Sequence, residues 1–322
     1  MADPVVSIIV VSHNTAAMTL DCLASIARET SDLAHEVIVI DNASGDGSAD
    51  AIASAHPQVR LIRRDENIGF GRANNRAAEQ ARGRFILLLN PDTVVLDQAI
   101  ERLVAFAGRH PDAMIWGGRT VFADGRLNPT SSYLRPTLWS LACFSLGLSR
   151  LSPRSAWLNP EFVSLRRDGE EMAVDIVTGC FLLIQRADWQ RLGGFDPDYF
   201  LYGEEADLCL RAAALGARPR VTPEATIVHH VGAASAARAD KIERGFQGKM
   251  TLARKHWGQT RTTVAAGLLR AAVLLRWSGY ALASALLRRP AHRAASAEWR
   301  DAWQRRATWL AGYPPAPPEF RR

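Results

Sequence analysis

Apolar residues in the first hundred positions come as short unbroken runs separated by mixed segments of helical period. Residues 5–12 form a continuous Val/Ile run, the pattern of a strand covered on both faces. Residues 19–28 place Leu20, Leu23 and Ile26 at helical spacing, and residues 36–40 give a second strand. That strand runs into Asp41-Asn42-Ala43-Ser44-Gly45-Asp46-Gly47-Ser48, a turn-rich loop closing on an N-cap serine and a helix. Residues 59–63 and 84–89 predict two more strands, and residues 71–81 and 97–108 two more helices. An alternating order of this kind predicts an α/β fold with a doubly wound, mostly parallel, Rossmann-like sheet. Functional groups then belong at the carboxyl ends of the strands, where Asn14, Asp41, Asn67 and Asp92 fall.

From residue 116 to 172 the pattern weakens and Pro and Ser become frequent, as in a variable loop region over a site. Order returns at 174–184, read as strand, turn, strand, followed by a short helix near 188–192. Residues 204–215 read as a helix stopped by Gly216, and 225–228 as a strand ending at His229-His230. The stretch 262–287 is almost wholly apolar but is interrupted by Arg270 and Arg276, so no uncharged run approaches the ~20 residues of a membrane span. Trp299, Trp303 and Leu310 share a face opposite several arginines. Two readings of this C-terminal helical extension stand: helices lying on an anionic membrane surface, or an appendage packed on protein.

Composition narrows the class. A chain of 322 residues with 48% hydrophobic content can bury a full α/β core. The net charge of +6 is uneven, because the chain from Arg254 onward is rich in arginine and poor in acids. That asymmetry points to a polyanionic partner, membrane phospholipid or nucleic acid. The tail lacks a recognition motif for nucleic acid, so a nucleic-acid partner is not expected. Cys22, Cys143, Cys180 and Cys209 have no paired spacing, which indicates neither a disulfide framework nor a zinc site and fits a reducing cytoplasm. The first residues lack the basic segment of a signal peptide.

Several residue groups carry chemistry. Asp92 ends Leu88-Leu89-Asn90-Pro91-Asp92, where a carboxylate can hold Mg²⁺ or Mn²⁺ and neutralise a substrate diphosphate; a plain Asx turn is the structural alternative. Asp41 can accept from a base N–H or a ribose hydroxyl, or cap the next helix. The run from Asn67 to Asn75 has small residues that allow close backbone approach to a nucleotide, but its glycines have neither dinucleotide nor P-loop spacing. Glu204, Glu205 and Asp207 open a helix, which acids favour at a first turn. Three acids in four positions exceed what capping needs, and their mutual repulsion favours a carboxylate that acts as a base near neutral pH. His229 or His230, at a strand end, can ligate a metal or serve as an ordinary core or surface histidine.

Taken in order, these motifs resemble family 2 inverting glycosyltransferases, and most closely their bacterial rhamnosyltransferase-like branch. The resemblance rests on Val6 to Asn14, Asp41 to Ser44, Asn67 to Phe70, Asn90-Pro91-Asp92, Gly194-Phe195-Asp196, Gly203 to Leu208, and His229. It implies a GT-A fold, a nucleoside-diphosphate sugar donor (dTDP- or UDP-linked) and a divalent metal. By position, Asp41 contacts the base, and Ser12, Asn14, Ser44, Asn67, Gly69, Asn74 and Asn90 accompany it around the nucleotide sugar. Asp92 and His229 are the metal positions and Glu205 the base, with Glu204 and Asp207 as neighbours that share the work. Thr178-Gly179-Cys180 matches a loop near sugar and acceptor. Asn90 stands where the family's metal motif has its first Asp, and Glu205 where Asp is usual. The expected division is 1–115 for the nucleotide sugar, 116–258 for acceptor and catalysis, and 259–322 for the helical extension.

The implied reaction is a single displacement that moves a sugar, L-rhamnose from dTDP-rhamnose by branch resemblance, to a lipid-linked or polysaccharide acceptor of the cell envelope. The expected location is cytoplasmic, peripheral on the inner face of the membrane. The alternatives are a nucleotidyltransferase acting on sugar phosphates, against which Ser12-His13-Asn14-Thr15 in place of a basic glycine-rich loop speaks, and a catalytically silent nucleotide-binding protein.

Overall fold

The computed structural model describes residues 3–230 and 238–321. In chain order the elements are β1 (Val6–Ser12), α1 (Ala16–Glu29), β2 (His35–Asn42), α2 (Ser48–Ala55), β3 (Arg60–Arg64), α3 (Phe70–Ala78), β4 (Phe85–Leu89), β5 (Thr93–Val95) and α4 (Ala99–Arg109). They continue with β6 (Ile115–Val121), β7 (Ser132–Tyr133), α5 (Leu138–Ser145), α6 (Leu148–Leu151), β8 (Met172–Ala173), β9 (Ile176–Val177), β10 (Phe181–Gln185), α7 (Arg186–Leu192) and α8 (Glu204–Ala214). The last are β11 (Arg220–His229), α9 (Arg238–His256), α10 (Gln259–Leu287), α11 (Pro290–Gln304) and α12 (Arg306–Ala311). Two compact units result, one from residues 3–135, 162–200 and 204–230, the other from 136–161, 201–203 and 238–321.

The first unit is built on a mixed, mostly parallel sheet of order β3-β2-β1-β4-β10-β6-β11-β5, with β8 beside β11. Its first four strands are parallel, as the alternating pattern predicts, and β10 enters antiparallel to both β4 and β6. The Val/Ile-rich β1 and the all-apolar β4 are buried along their whole length, because helices cover both faces. Val6, Ile8, Val10, Leu87, Leu103 and Phe106 belong to one core, each such side chain contributing about 1.5–3 kcal/mol by leaving water.

Register decides what meets at one edge. Ser12 pairs with Asp41 across β1 and β2, and Val10 with Leu89 across β1 and β4. Leu89 pairs with Phe181, so the residues preceding β10 reach the same edge as those following β4. The antiparallel pairing of His229 with Thr93 brings the end of β11 there too.

The weakening of pattern at residue 116 does not mark a loop. Residues 115–121 form β6, paired with both β10 and β11. Its glycines explain the missing signal. A Cβ on Gly117 would sit 2.4 Å from Val177 Cγ1, and one on Gly118 2.2 Å from the Ala225 carbonyl oxygen. Side chains are excluded where neighbouring chain comes this close, so the strand loses its apolar signature.

The second unit is helical, with its own core of Leu141, Phe246, Met250, Leu269, Val273 and Trp309. The face carrying Trp299, Trp303 and Leu310 packs into this core, so it is an internal face of the unit. Arg276 is also inward: its guanidinium donates to the Phe144 and Ser145 carbonyls and lies over the Phe144 and Trp299 rings. Among the described residues no helix is long and apolar enough to cross a membrane.

Candidate active site

The carboxyl edge of β1 and β2 is tied by side chains rather than by regular structure. The Asn14 backbone N–H donates to Ser44 Oγ at 2.9 Å, and the Gly45 N–H to Asn14 Oδ1 at 2.7 Å. Asn14 and Ala43 both adopt the left-handed region, with φ of 55° and 63°. For Ala43 this costs energy, and such strain gathers at functional sites. Asp41 is buried; its Oδ2 accepts from the Ser44 N–H at 3.1 Å, while its Oδ1 has no partner among the described residues. Ser12 is buried within a hydroxyl cluster with Thr15 and Thr19.

Asn42, which in sequence belongs to a turn-rich loop, organises the next loop. Its Nδ2 donates to Asn67 Oδ1 at 3.0 Å and to the Gly69 carbonyl at 3.3 Å, and its Oδ1 accepts from the Ile68 N–H at 3.0 Å. Gly69 has φ of 86°, and a Cβ there would lie 2.5 Å from the Phe200 carbonyl, so its close neighbour is protein. Asn74 is buried and donates to the Phe70 carbonyl within its own helix. Asn75, also unread in the sequence, exchanges two hydrogen bonds with the Phe195 backbone, at 2.7 and 2.9 Å. The Asn-rich stretch therefore fixes the Gly194-Phe195-Asp196 segment that leads to the acidic helix.

His13 belongs to the same edge. Its Nδ1–H donates to the Asn42 carbonyl at 2.9 Å, which leaves Nε2 to accept from Asn14 Nδ2 at 3.3 Å. One neutral tautomer satisfies both contacts.

Beyond β4, Asp92 and His229 come together, with Nε2 3.3 Å from Oδ1. The His230 N–H donates to the Asp92 carbonyl at 2.9 Å, so that backbone bond holds the pair in place. Burial disfavours charge on His229, but Cys180 and Asp92 beside the ring outweigh it and push the imidazole up to about 10. His229 Nδ1 and Asn90 Oδ1 are buried without a hydrogen-bond partner among the described residues. No three His, Cys, Asp or Glu side chains among the described residues are grouped to hold a metal ion. A histidine–carboxylate pair, once the imidazole has given up its proton, fits Mg²⁺ or Mn²⁺ bound together with a diphosphate, since such ions take one or two protein ligands and complete their shell with substrate oxygens and water.

The loop before β10 joins this pair to the acidic helix. The Asn90 N–H donates to the Cys180 carbonyl at 3.2 Å, and Thr178 Oγ1 lies 3.1 Å from Cys180 Sγ. One residue earlier, the Val177 carbonyl accepts from Cys209 Sγ at 3.8 Å. Cys209 stands one helical turn after Glu205 on the same face of α8. Gly179 is packed against Phe70, 3.1 Å from where its Cβ would stand.

The three acids of α8 separate by environment. Asp207 is buried and pairs with Arg211 at 2.7 Å, whose guanidinium also donates to the Leu192 and Gly194 carbonyls. Glu204 is buried, with its Cβ 3.6 Å from a Cβ built on Gly71, and its charge helps raise the buried Tyr199 hydroxyl far above the usual phenol range, where burial is the larger cause. Glu205 alone of the three keeps part of its surface accessible.

Comparison with known proteins agrees with this architecture. The chain is 30% identical over 205 residues to an N-acetylglucosaminyl-diphospho-decaprenol L-rhamnosyltransferase of Mycobacterium tuberculosis, covering 60% of this chain and 66% of the relative, just under two thirds of its length. A mannosyltransferase from Pyrobaculum calidifontis, solved in complex with GDP-Man and Mn²⁺, superposes with a TM-score of 0.56 at 19% identity, covering 97% of this chain and 86% of that one. GalNAc-T7, solved with UDP, GalNAc and Mn²⁺, gives 0.59 at 15% identity, covering 84% of this chain and 51% of that one. At these identities the two structures establish the fold, which is GT-A. The family model described as "Glycosyl transferase family 2" matches residues 7–192, more than half of the chain, and the protein belongs to that family.

Proposed function

We propose that this chain is an inverting glycosyltransferase that moves L-rhamnose from dTDP-L-rhamnose to a lipid-linked or polysaccharide acceptor of the cell envelope, working peripherally at the inner, cytoplasmic face of the membrane. The observation that carries the chemistry is the Asp92–His229 pair at the edge where β4, β10 and β11 converge, joined through the 178–180 loop to a helix whose accessible acid is Glu205. The mycobacterial relative's name supports the choice of sugar and of a lipid-linked acceptor.

In this reading Asp41 Oδ1 accepts from the nucleotide base. Ser12, Asn14, Ser44, Asn67, Gly69, Asn74 and Asn90 shape and line the nucleotide-sugar site, several of them through the side-chain ties described above. A divalent metal held by Asp92 and His229 would supply positive charge to the departing diphosphate. Thr178, Gly179 and Cys180 position the acceptor beside Glu205. Glu205 takes the proton from the acceptor hydroxyl as its oxygen attacks the anomeric carbon from the face opposite the nucleotide, and the configuration inverts. Asp207 works through Arg211, which holds the segment before α8. Residues 1–115 then serve the nucleotide sugar and 116–258 the acceptor.

The test is nucleotide release from dTDP-rhamnose and from UDP-linked sugars, with Mg²⁺ or Mn²⁺ and with EDTA. Acceptor-dependent release of dTDP that EDTA abolishes is the expected result. EDTA-insensitive release overturns the metal assignment, and release from another donor alone overturns the sugar.

A further inference from the structure

We propose that the groove between α10 and α11 binds the phosphate of an anionic lipid headgroup and so seats the helical unit on a membrane surface. The inference deepens the peripheral-membrane part of the proposed function and rests on it. The groove has a volume of about 740 Å³, and Arg288, Arg293, Arg300, Ser284, Ser296 and Trp277 are among its walls. That volume lies in the range of small-ligand sites. The arginines on the walls differ from Arg305. Arg305 is neutralised by Asp240, Glu243 and Asp301, whereas Arg288, Arg293 and Arg300 make no ion pair among the described residues. Guanidinium groups arrayed on two helices suit phosphate, which they bind in bidentate fashion.

A second feature gives the phosphate a lipid source. Val264, Leu275, Leu282 and Leu286 follow one another at spacings of 11, 7 and 4 residues on one stripe of α10, and all are exposed, Leu286 by 72%. Such a stripe runs ~33 Å along the helix. Of the twelve exposed large hydrophobic residues among the described residues, eleven belong to the helical unit. From Gln259 onward the chain has eleven arginines and three acids, a net of +8, against +6 for the whole protein. A second copy packed on this unit would bring two strongly basic surfaces together. Nucleic acid would leave the leucine stripe in water. An anionic bilayer surface takes both, the stripe at the acyl boundary and the arginines among the phosphates.

The test is co-sedimentation of the full chain with vesicles of phosphatidylcholine alone or containing phosphatidylglycerol. The wild type partitions onto the phosphatidylglycerol vesicles. Arg288→Ala/Arg293→Ala/Arg300→Ala weakens that partition by about 100-fold, whereas the charge-matched Arg261→Ala/Arg270→Ala/Arg289→Ala, outside the groove, costs about tenfold or less. Leu282→Ser/Leu286→Ser weakens binding to both vesicle types. All variants change exposed positions, and circular dichroism checks their fold. Equal losses in the two arginine triples, or none in the first, overturn the groove while leaving membrane binding in place. Full displacement by millimolar inorganic phosphate overturns the lipid source. A wild type that binds neither vesicle removes the membrane reading together with the groove.

Discussion

Asp92 Oδ1 and His229 Nε2 stand 3.3 Å apart, brought together from the end of β4 and the end of β11. Neither strand explains the other's choice of residue, and the His230 N–H donating to the Asp92 carbonyl makes the meeting a property of the fold. Asp92→Ala therefore removes half of a donor pair. Mn²⁺ affinity in the presence of dTDP should fall by more than the ~10–100-fold typical of losing a mere supporting partner. Isothermal titration with Mn²⁺ and dTDP measures it, and unchanged affinity would remove Asp92 from the metal site.

Asp207 offers a contrast within the same helix turn. Buried beside Arg211, it holds a guanidinium that secures the Leu192 and Gly194 carbonyls. Asp207→Asn should destabilise the protein by about 3 kcal/mol, because a charge is left without its partner. Urea unfolding reads this loss. Activity retained at full stability would show that the pair is dispensable.

Gly118 tests the origin of β6. With the Ala225 carbonyl 2.2 Å and Phe181 Cε1 2.5 Å from its virtual Cβ, Gly118→Ala must displace backbone or ring. A loss of about 1–3 kcal/mol is expected. Gly125→Ala, at a turn with φ of 79° and open space, provides a comparison in which strain acts without crowding.

Glu36 predicts a pH effect far from the chemistry. It sits at the opposite end of the strands, where it accepts from Ser7 Oγ at 2.7 Å, the Arg82 N–H at 2.7 Å and Arg82 Nε at 3.1 Å. Burial alone would raise its pKa, but the Ser7 and Arg82 contacts outweigh it and hold the carboxyl below its usual 4.5. A folded-state pKa below the unfolded one contributes stability that is present above about pH 4.5 and lost as pH falls through the folded value. Glu36→Gln should lower stability near neutral pH by about 1 kcal/mol and flatten the decline of Tm below pH 4.5. Melting curves from pH 3 to 7, on the order of one per half unit, decide the point.

The strands that read clearly in the sequence are those buried on both faces, β1 and β4, whose Val, Ile and Leu runs leave no alternative. β6 was invisible because the same burial is achieved at Gly117 and Gly118 by excluding side chains, which erases the apolar pattern. At the C-terminus, periodicity correctly grouped Trp299, Trp303 and Leu310, but period alone cannot say which apolar face is covered. The core took that face, and Leu275, Leu282 and Leu286 of α10 remained outside. Asp41, Asp92, Glu205 and His229 stand out as candidates because acids and a histidine at strand and helix ends have few structural duties. Asn42 and Asn75 were not, since an asparagine that ties one loop to another looks in sequence like any turn residue. The Cys209–Val177 contact that links α8 to the end of β9 was equally hidden, a cysteine in a helix being ordinary core.

The claim on which the rest depends is that Glu205, the accessible acid of α8, takes the acceptor proton. Its direct test is steady-state turnover of Glu205→Gln with dTDP-rhamnose as donor, alongside equilibrium binding of that donor. The account predicts donor affinity close to wild type with kcat lower by about 10²–10⁴-fold. Turnover equal to wild type would contradict it.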